Sequence, residues 1–475
     1  MTERIPKIVL VGALLSPLVL AYFAYSQPGY FTSQTYLGGL LLLECLVAAI
    51  WMYRRVFFPV VVVTFLLAGL NLPVGSVWTV ARWVILGVGA LVGSIIILKD
   101  RRYHFGLFHL LALFAVFAAL VSAAVSRYTA VSLLKVLSLL LLFVYAGTGA
   151  RVAVIGRENR FFAGLLIGLE MFVGFIAACF FLGIEAMGNP NSMGAVMGVV
   201  GAPILLWGTL VSEERLVHHR RLVLYAISIY LTFESQARAG LIAAFVSCGL
   251  LCLALRRYRL LAQGIGIIVI LGAAAAILQP EAFSRAVSSL TSGVLYKGKD
   301  PGGGLLASRQ GPWQRAADSI RNHFWFGTGF GTSDNGLDAN ENVGKFASHS
   351  AASTEHGSSY LAVCTWVGML GIVPFVMLVL VLLRKVVQTV VWILRTGNPS
   401  HPAVPLAMVM VAGMIHAGLE DWLFAPGYYL CVFYWSMAFV FVDQAPAVAF
   451  ADSRRAFFGR AGAMRQGPGN VAPSR

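Results

Sequence analysis

The chain has 475 residues, 59% of them hydrophobic, with a mean hydropathy of +0.80. Only 12% are charged, about half the ~25% of a soluble domain. Successive apolar runs approach the ~20 residues that cross a bilayer, which excludes a soluble globular protein and the short alternating strands of a membrane β-barrel. The formal charge of +15 is not a nucleic-acid signal, because the basic residues sit between the apolar runs.

In chain order the candidate spans are residues 8–25, 36–53, 56–72, 78–98, 105–125, 131–149, 161–184, 193–211, 221–233, 239–255, 259–279, 357–383, 403–420 and 424–442. The pattern predicts an all-α polytopic membrane protein of about 12–14 transmembrane helices. The first run has a charged front (Arg4, Lys7) and no small-residue cleavage site, so it reads as a retained span. Four segments result: N-terminal transmembrane helices (1–279), one large loop (280–356), C-terminal transmembrane helices (357–442) and a tail (443–475) whose Gly, Pro, Ser and Arg content predicts disorder.

Basic residues assign the sides. Arg54-Arg55, Lys99 with Arg101-Arg102, Arg151 with Arg157 and Arg160, Arg220-Arg221, Arg256-Arg257 and Arg384-Lys385 fall in alternate loops. Those loops and both termini are expected in the cytoplasm, and the 280–356 loop outside. Within that loop, Pro312 followed by Trp313, Ala317, Ile320 and Phe324 predicts a helix with proline in its first turn. Its apolar face would lie on the membrane surface or over a cavity, and Gly327, Gly329 and Gly331 would end it. The six cysteines all lie in apolar runs, without a disulfide or metal-ligand pattern.

Charged residues that break the apolar pattern collect at one level. On this sidedness Arg82 and Lys135 lie near the external ends of their spans, Arg127 and Arg238 in external turns, and Arg309 and Arg315 on the covering loop. His356 opens the following span, while Glu420 and Asp421 close another. Ionisable groups at this depth are expensive and tend to be functional. Basic residues on an external rim also run against the positive-inside bias, and an anion held there accounts for them. Arginine suits phosphate because its planar fork stays charged. A pyrophosphate head group with its lipid tail in the bilayer fits both depth and charge. The structural alternative for Arg82 and Lys135 is snorkelling or pairing with a carboxylate. For His356 it is an interfacial residue at a helix start.

Three motifs resemble the O-antigen ligase/polymerase superfamily. They are Ser235-x-x-Arg238-Ala239-Gly240, Arg309-x-x-x-Trp313 leading into Phe326-Gly327-Thr328-Gly329, and Glu355-His356-x-x-x-Tyr360-Leu361. Asn189-Pro190-Asn191 in an external loop is similar to a fourth family feature, and the resemblance runs over roughly residues 130–440. Pro312 inside the second motif is a departure.

The resemblance implies an O-antigen ligase of the bacterial inner membrane. Its donor would be an undecaprenyl-pyrophosphate-linked glycan, its acceptor lipid A–core, and it would need no cofactor. Motif by motif, the catalytic residues carried over are His356, Arg238 and Arg309. Arg82, Arg127, Lys135, Arg315, Asn191, Tyr360, Glu420 and Asp421 are expected to contact substrate. Arg238 and Arg309 would hold the pyrophosphate and charge developing on the leaving oxygen, and His356 would take the proton of the attacking sugar hydroxyl. Direct attack would invert the anomeric carbon. With no Asp-x-Asp pair in the loop, a metal is not expected. The alternatives are an O-antigen polymerase, a protein O-oligosaccharyltransferase, or a lipid-linked anion transporter. Transporters favour inverted repeats and midplane sites, whereas polar residues here crowd one rim.

Overall fold

Each candidate span within the described residues is a helix, and no strand occurs among those residues. The structure is a computed structural model that describes residues 26, 34–70, 75–100, 103–187, 189–278, 281, 307–333 and 356–446. The span at 8–25, the rest of the long loop with Ser353, Thr354 and Glu355, and the tail from residue 447 lie outside them.

The helices are α1 (Gln34–Trp51), α2 (Phe58–Gly69), α3 (Gly75–Lys99), α4 (Leu107–Ala124), α5 (Thr129–Val154), α6 (Glu158–Phe181) and α7 (Pro190–Val211). They continue as α8 (Arg215–Glu234), α9 (Arg238–Ala254), α10 (Tyr258–Leu278), α11 (Ala307–Asn322), α12 (Ser359–Thr396), α13 (Ala403–Ala417) and α14 (Tyr429–Gln444). Among the described residues six helices are long and apolar enough to cross a membrane, so the chain is an all-α, multi-pass membrane protein.

Burial separates the helices into centre and periphery. Nearly every residue of α7, α13 and α14 is buried, as expected of helices apolar all round. Helices α3, α4, α6 and α12 instead expose Val84, Leu91, Phe117, Leu120, Ile167, Phe175, Leu370 and Val373 on one side, the surface that lipid covers. At the basic end Arg151, 2% exposed, is bound to Asp443 at 2.5 Å and to the His104 carbonyl at 3.0 Å. A fully buried guanidinium needs such partners.

Two expectations about helix ends change. Helix α11 already includes Ala307, so Pro312 lies inside it rather than in its first turn. The packed side is built on Arg309, Trp313, Ala316 and Ile320; Ala317 and Phe324 are exposed. The helix ends at Asn322, before the glycines. The span at 357–383 extends to Thr396, and the part from Gly368 onward alone rises about 42 Å against ~30 Å of hydrocarbon.

Helix α12 is broken at Gly368, whose φ of +64° and ψ of −175° are non-helical. The break frees amides and carbonyls that must be satisfied elsewhere. The segment after α11 supplies the partners. Met369 and Leu370 amides donate to the Phe324 and Trp325 carbonyls at 2.8 and 3.2 Å. Thr328 and Gly329 amides donate to the Thr365 and Trp366 carbonyls at 2.9 and 3.1 Å. A Cβ at Gly327 or Gly368 would overlap the facing backbone, which is why both are glycine.

Candidate active site

The α7–α9 seam sets the position of Arg238. Gly194 and Gly198 on α7 face Gly240 on α9 so closely that a Cβ on any of them would overlap the other helix or the Ser235–Ala237 turn. Small residues four apart permit this backbone approach in a membrane. The turn before α9 is closed by the Ser235 hydroxyl, which donates to the Thr232 carbonyl at 2.6 Å and accepts from the Ala237 amide at 3.3 Å. Arg238, the first residue of α9, leaves this turn half-buried.

Helix α11 lies over the start of α12. The Trp313 indole N–H donates to the Gly357 carbonyl at 3.3 Å, and Arg309 reaches past it to the Glu420 carboxylate. Glu420 and Asp421 sit in the connection between α13 and α14. That connection also grips α12: the Ser359 amide and hydroxyl donate to the Glu420 carbonyl at 3.0 and 2.6 Å, and the Leu423 amide donates to the Ser359 hydroxyl at 3.0 Å.

His356 is 3% exposed. Its backbone N–H donates to Asp421 Oδ2 at 3.0 Å, and its Nδ1 lies 3.5 Å from the same oxygen. At that length the ring contact is electrostatic rather than a hydrogen bond, and Nδ1 has no hydrogen-bond partner among the described residues. The ring meets Trp366 edge to face, 5.7 Å between centroids at 89°. Arg238 interacts electrostatically with both Arg309 and Glu420. Arg238, Arg309, His356, Glu420 and Asp421 therefore form one charged cluster. Four stretches of chain far apart in sequence supply it.

The other candidates are engaged elsewhere or exposed. Arg82 Nη1 donates to the Gly427 carbonyl at 2.7 Å, and its guanidinium lies over Phe65 and Trp83 at 5.5 and 5.3 Å. It thus holds the far end of the connection that carries Glu420 and Asp421. Lys135 Nζ donates to the Gly331 carbonyl. The Tyr360 hydroxyl donates to the Met414 carbonyl at 2.8 Å, tying α12 to α13. Arg127 and Arg315 are exposed. The Asn191 amide donates to the Asn189 side chain at 2.9 Å, so Asn189 caps α7.

Sequence reasoning missed several members of the surroundings. Ser359 fastens the acidic connection to α12, and Trp366 forms the wall against His356. The Tyr428 hydroxyl, at the end of the same connection, donates to the Tyr429 hydroxyl at 3.3 Å. Trp313 and Tyr360 stand in recognisable motifs; Ser359 and Trp366 carry no local signal.

Among the described residues, no three or more His, Cys, Asp or Glu side chains converge to hold a metal ion. A cavity of about 280 Å³ lined by Leu210, Leu255, Arg256, Arg257, Gly397 and Pro399 lies at the other end of the bundle. It includes none of the cluster residues. The α9 helix that separates Arg238 from that cavity has 17 residues, a rise of about 25 Å.

No curated protein matches the chain. Residues 222–376, which hold Arg238, Arg309 and His356, match the family model described as O-Antigen ligase, so this stretch of the chain is similar to the O-antigen ligase superfamily.

Proposed function

We propose that the chain is a glycosyltransferase that moves O-antigen polysaccharide from undecaprenyl pyrophosphate to lipid A–core at the periplasmic face of the bacterial inner membrane. The superfamily match implies a glycosyltransferase-like enzyme with lipid-linked polysaccharide substrates. The observation that carries the finer reading is the meeting of Arg238 and Arg309 with His356 in one cluster.

In this reading the two guanidiniums bind the donor pyrophosphate. Glu420 orients Arg309 through one terminal nitrogen, Nη2. The Asp421 carboxylate faces Nδ1 at 3.5 Å, which leaves Nε2 to take the proton of the acceptor hydroxyl as it attacks. The new bond joins the acceptor oxygen to the anomeric carbon. The bond from that carbon to the phosphate oxygen breaks, and the arginines stabilise the charge left on the pyrophosphate. Attack opposite the leaving group inverts the anomeric centre, and the step uses no metal. Arg127 and Arg315, exposed on the same rim, would meet polar parts of the substrates. The 280–356 loop would cover the site, with the transmembrane segments on either side holding its floor.

The test is transfer by the purified full chain, given lipid-linked polymer and lipid A–core in excess EDTA. The expected product is polymer-capped core with an inverted linkage, read by gel and NMR. Longer lipid-linked polymer without capped core would instead identify a polymerase. Activity lost in EDTA and restored by one divalent ion would remove the proposed step.

A further inference from the structure

Three consecutive aromatics follow α11: Phe324, Trp325 and Phe326, which are 45%, 59% and 45% exposed. The change in character is abrupt. Apart from Ala317, the exposed side chains of α11 itself are polar, among them Gln310, Gln314, Arg315, Asp318 and Arg321. One turn later the exposed surface is entirely aromatic, and then the chain plunges into the buried stretch from Gly327 to Ser333.

Two measures place this ridge at the edge of the hydrocarbon. Its carbonyls are bonded to Met369 and Leu370, just past the Gly368 break. From Gly368 to Arg384 α12 rises about 24 Å, most of the ~30 Å hydrocarbon core, with Arg384-Lys385 marking the opposite boundary. Independently, Ser122 in the last turn of α4 donates to the Trp366 carbonyl. The 18 residues of α4 rise about 27 Å, so that helix also ends at this level. The ridge continues a lipid-facing surface, since Met369, Leu370 and Val373 on α12 are 43%, 58% and 59% exposed. Tryptophan and its aromatic neighbours favour the head-group boundary, where an apolar ring and a polar edge are both accommodated.

We propose that Phe324, Trp325 and Phe326 dock into the head-group/acyl boundary of the membrane leaflet on the His356 side. They anchor there the segment that carries α11. The bilayer thereby becomes a partner of the loop that holds Arg309. The same segment bonds the Trp366 carbonyl, so the anchor and the wall behind His356 belong to one hydrogen-bonded unit.

The test uses the full chain in lipid nanodiscs, with W325C carrying an environment-sensitive fluorophore and Q314C as the control on the polar side of α11. F326C repeats the measurement should W325C fold poorly, and the unsubstituted protein gives the labelling blank. Lipid spin-labelled near the head of the acyl chain is expected to quench position 325 about threefold more than aqueous iodide does, since an interfacial segment sits ~5–10 Å into the boundary. Position 314 is expected to show the reverse order. Quenching at 325 and 326 that follows iodide, or that is strongest with a label deep in the chain, overturns the proposal.

Discussion

Asp421 meets His356 twice: its Oδ2 accepts the histidine backbone N–H at 3.0 Å and lies 3.5 Å from the ring Nδ1. One carboxylate thus holds the backbone of the residue proposed as the base by a hydrogen bond and faces its ring with a negative charge. Asp421→Asn keeps an oxygen for the backbone N–H but removes the charge facing the ring. Transfer is expected to fall by about 10–10²-fold, less than the ~10²–10⁴ of losing a general base outright, with the melting temperature little changed. Single-turnover transfer by the purified variant measures this, and a rate equal to the unsubstituted enzyme contradicts the orienting role.

Arg309 and Glu420 form a largely buried pair, their side chains 11% and 21% exposed. Removing one partner strands the other charge, so Glu420→Gln is expected to cost about 1–3 kcal/mol, below the ~3–5 of a fully buried pair. Arg309→Lys is expected to recover little donor binding, because a point charge does not replace the fork. Thermal unfolding and titration with a lipid pyrophosphate read the two effects separately. An Arg309→Lys variant that binds donor as tightly as the parent rules out the fork.

The Gly198 contact with Gly240 predicts a stability effect away from the chemistry. Gly198→Ala forces α7 and α9 apart, an overpacking that typically costs about 1–3 kcal/mol. Gly164 on α6 has open space where a Cβ would go, so Gly164→Ala is expected to be neutral or stabilising by about 0.5–1 kcal/mol. Equal melting temperatures for the two variants in the same detergent would show that the seam is not closely packed.

The spans were legible because an apolar run long enough to cross a bilayer is a local property. Every candidate span inside the described residues is a helix. The motif residues Arg238, Arg309 and His356 were legible as types placed at one depth. Their partnerships were not. Arg309 meets Glu420 across 111 positions and Lys135 meets Gly331 across 196, distances over which no periodicity speaks. The start of α11 was misplaced because Pro312 marks a first turn so strongly, whereas the chain is already helical at Ala307. The insertion of Phe324–Gly329 beside Gly368 depends on a break in α12 that one glycine only hints at.

Sidedness rests on the alternate basic loops. A cysteine at the exposed Gln314 should react with an impermeant thiol reagent in intact spheroplasts, and one at the exposed Glu213 should not. Labelling at Glu213 but not at Gln314 would invert the topology and move the cluster to the cytoplasmic side.

In the proposed step His356 takes a proton while Arg238 holds the donor, and one paired measurement on purified, folded variants separates these roles. Lipid-pyrophosphate binding and glycan transfer to lipid A–core are measured together for His356→Ala and Arg238→Ala. His356→Ala is expected to bind donor as the parent does and to transfer about 10²–10⁴-fold more slowly, whereas Arg238→Ala is expected to lose donor affinity. A folded His356→Ala protein that binds donor and transfers at the parent rate contradicts the account.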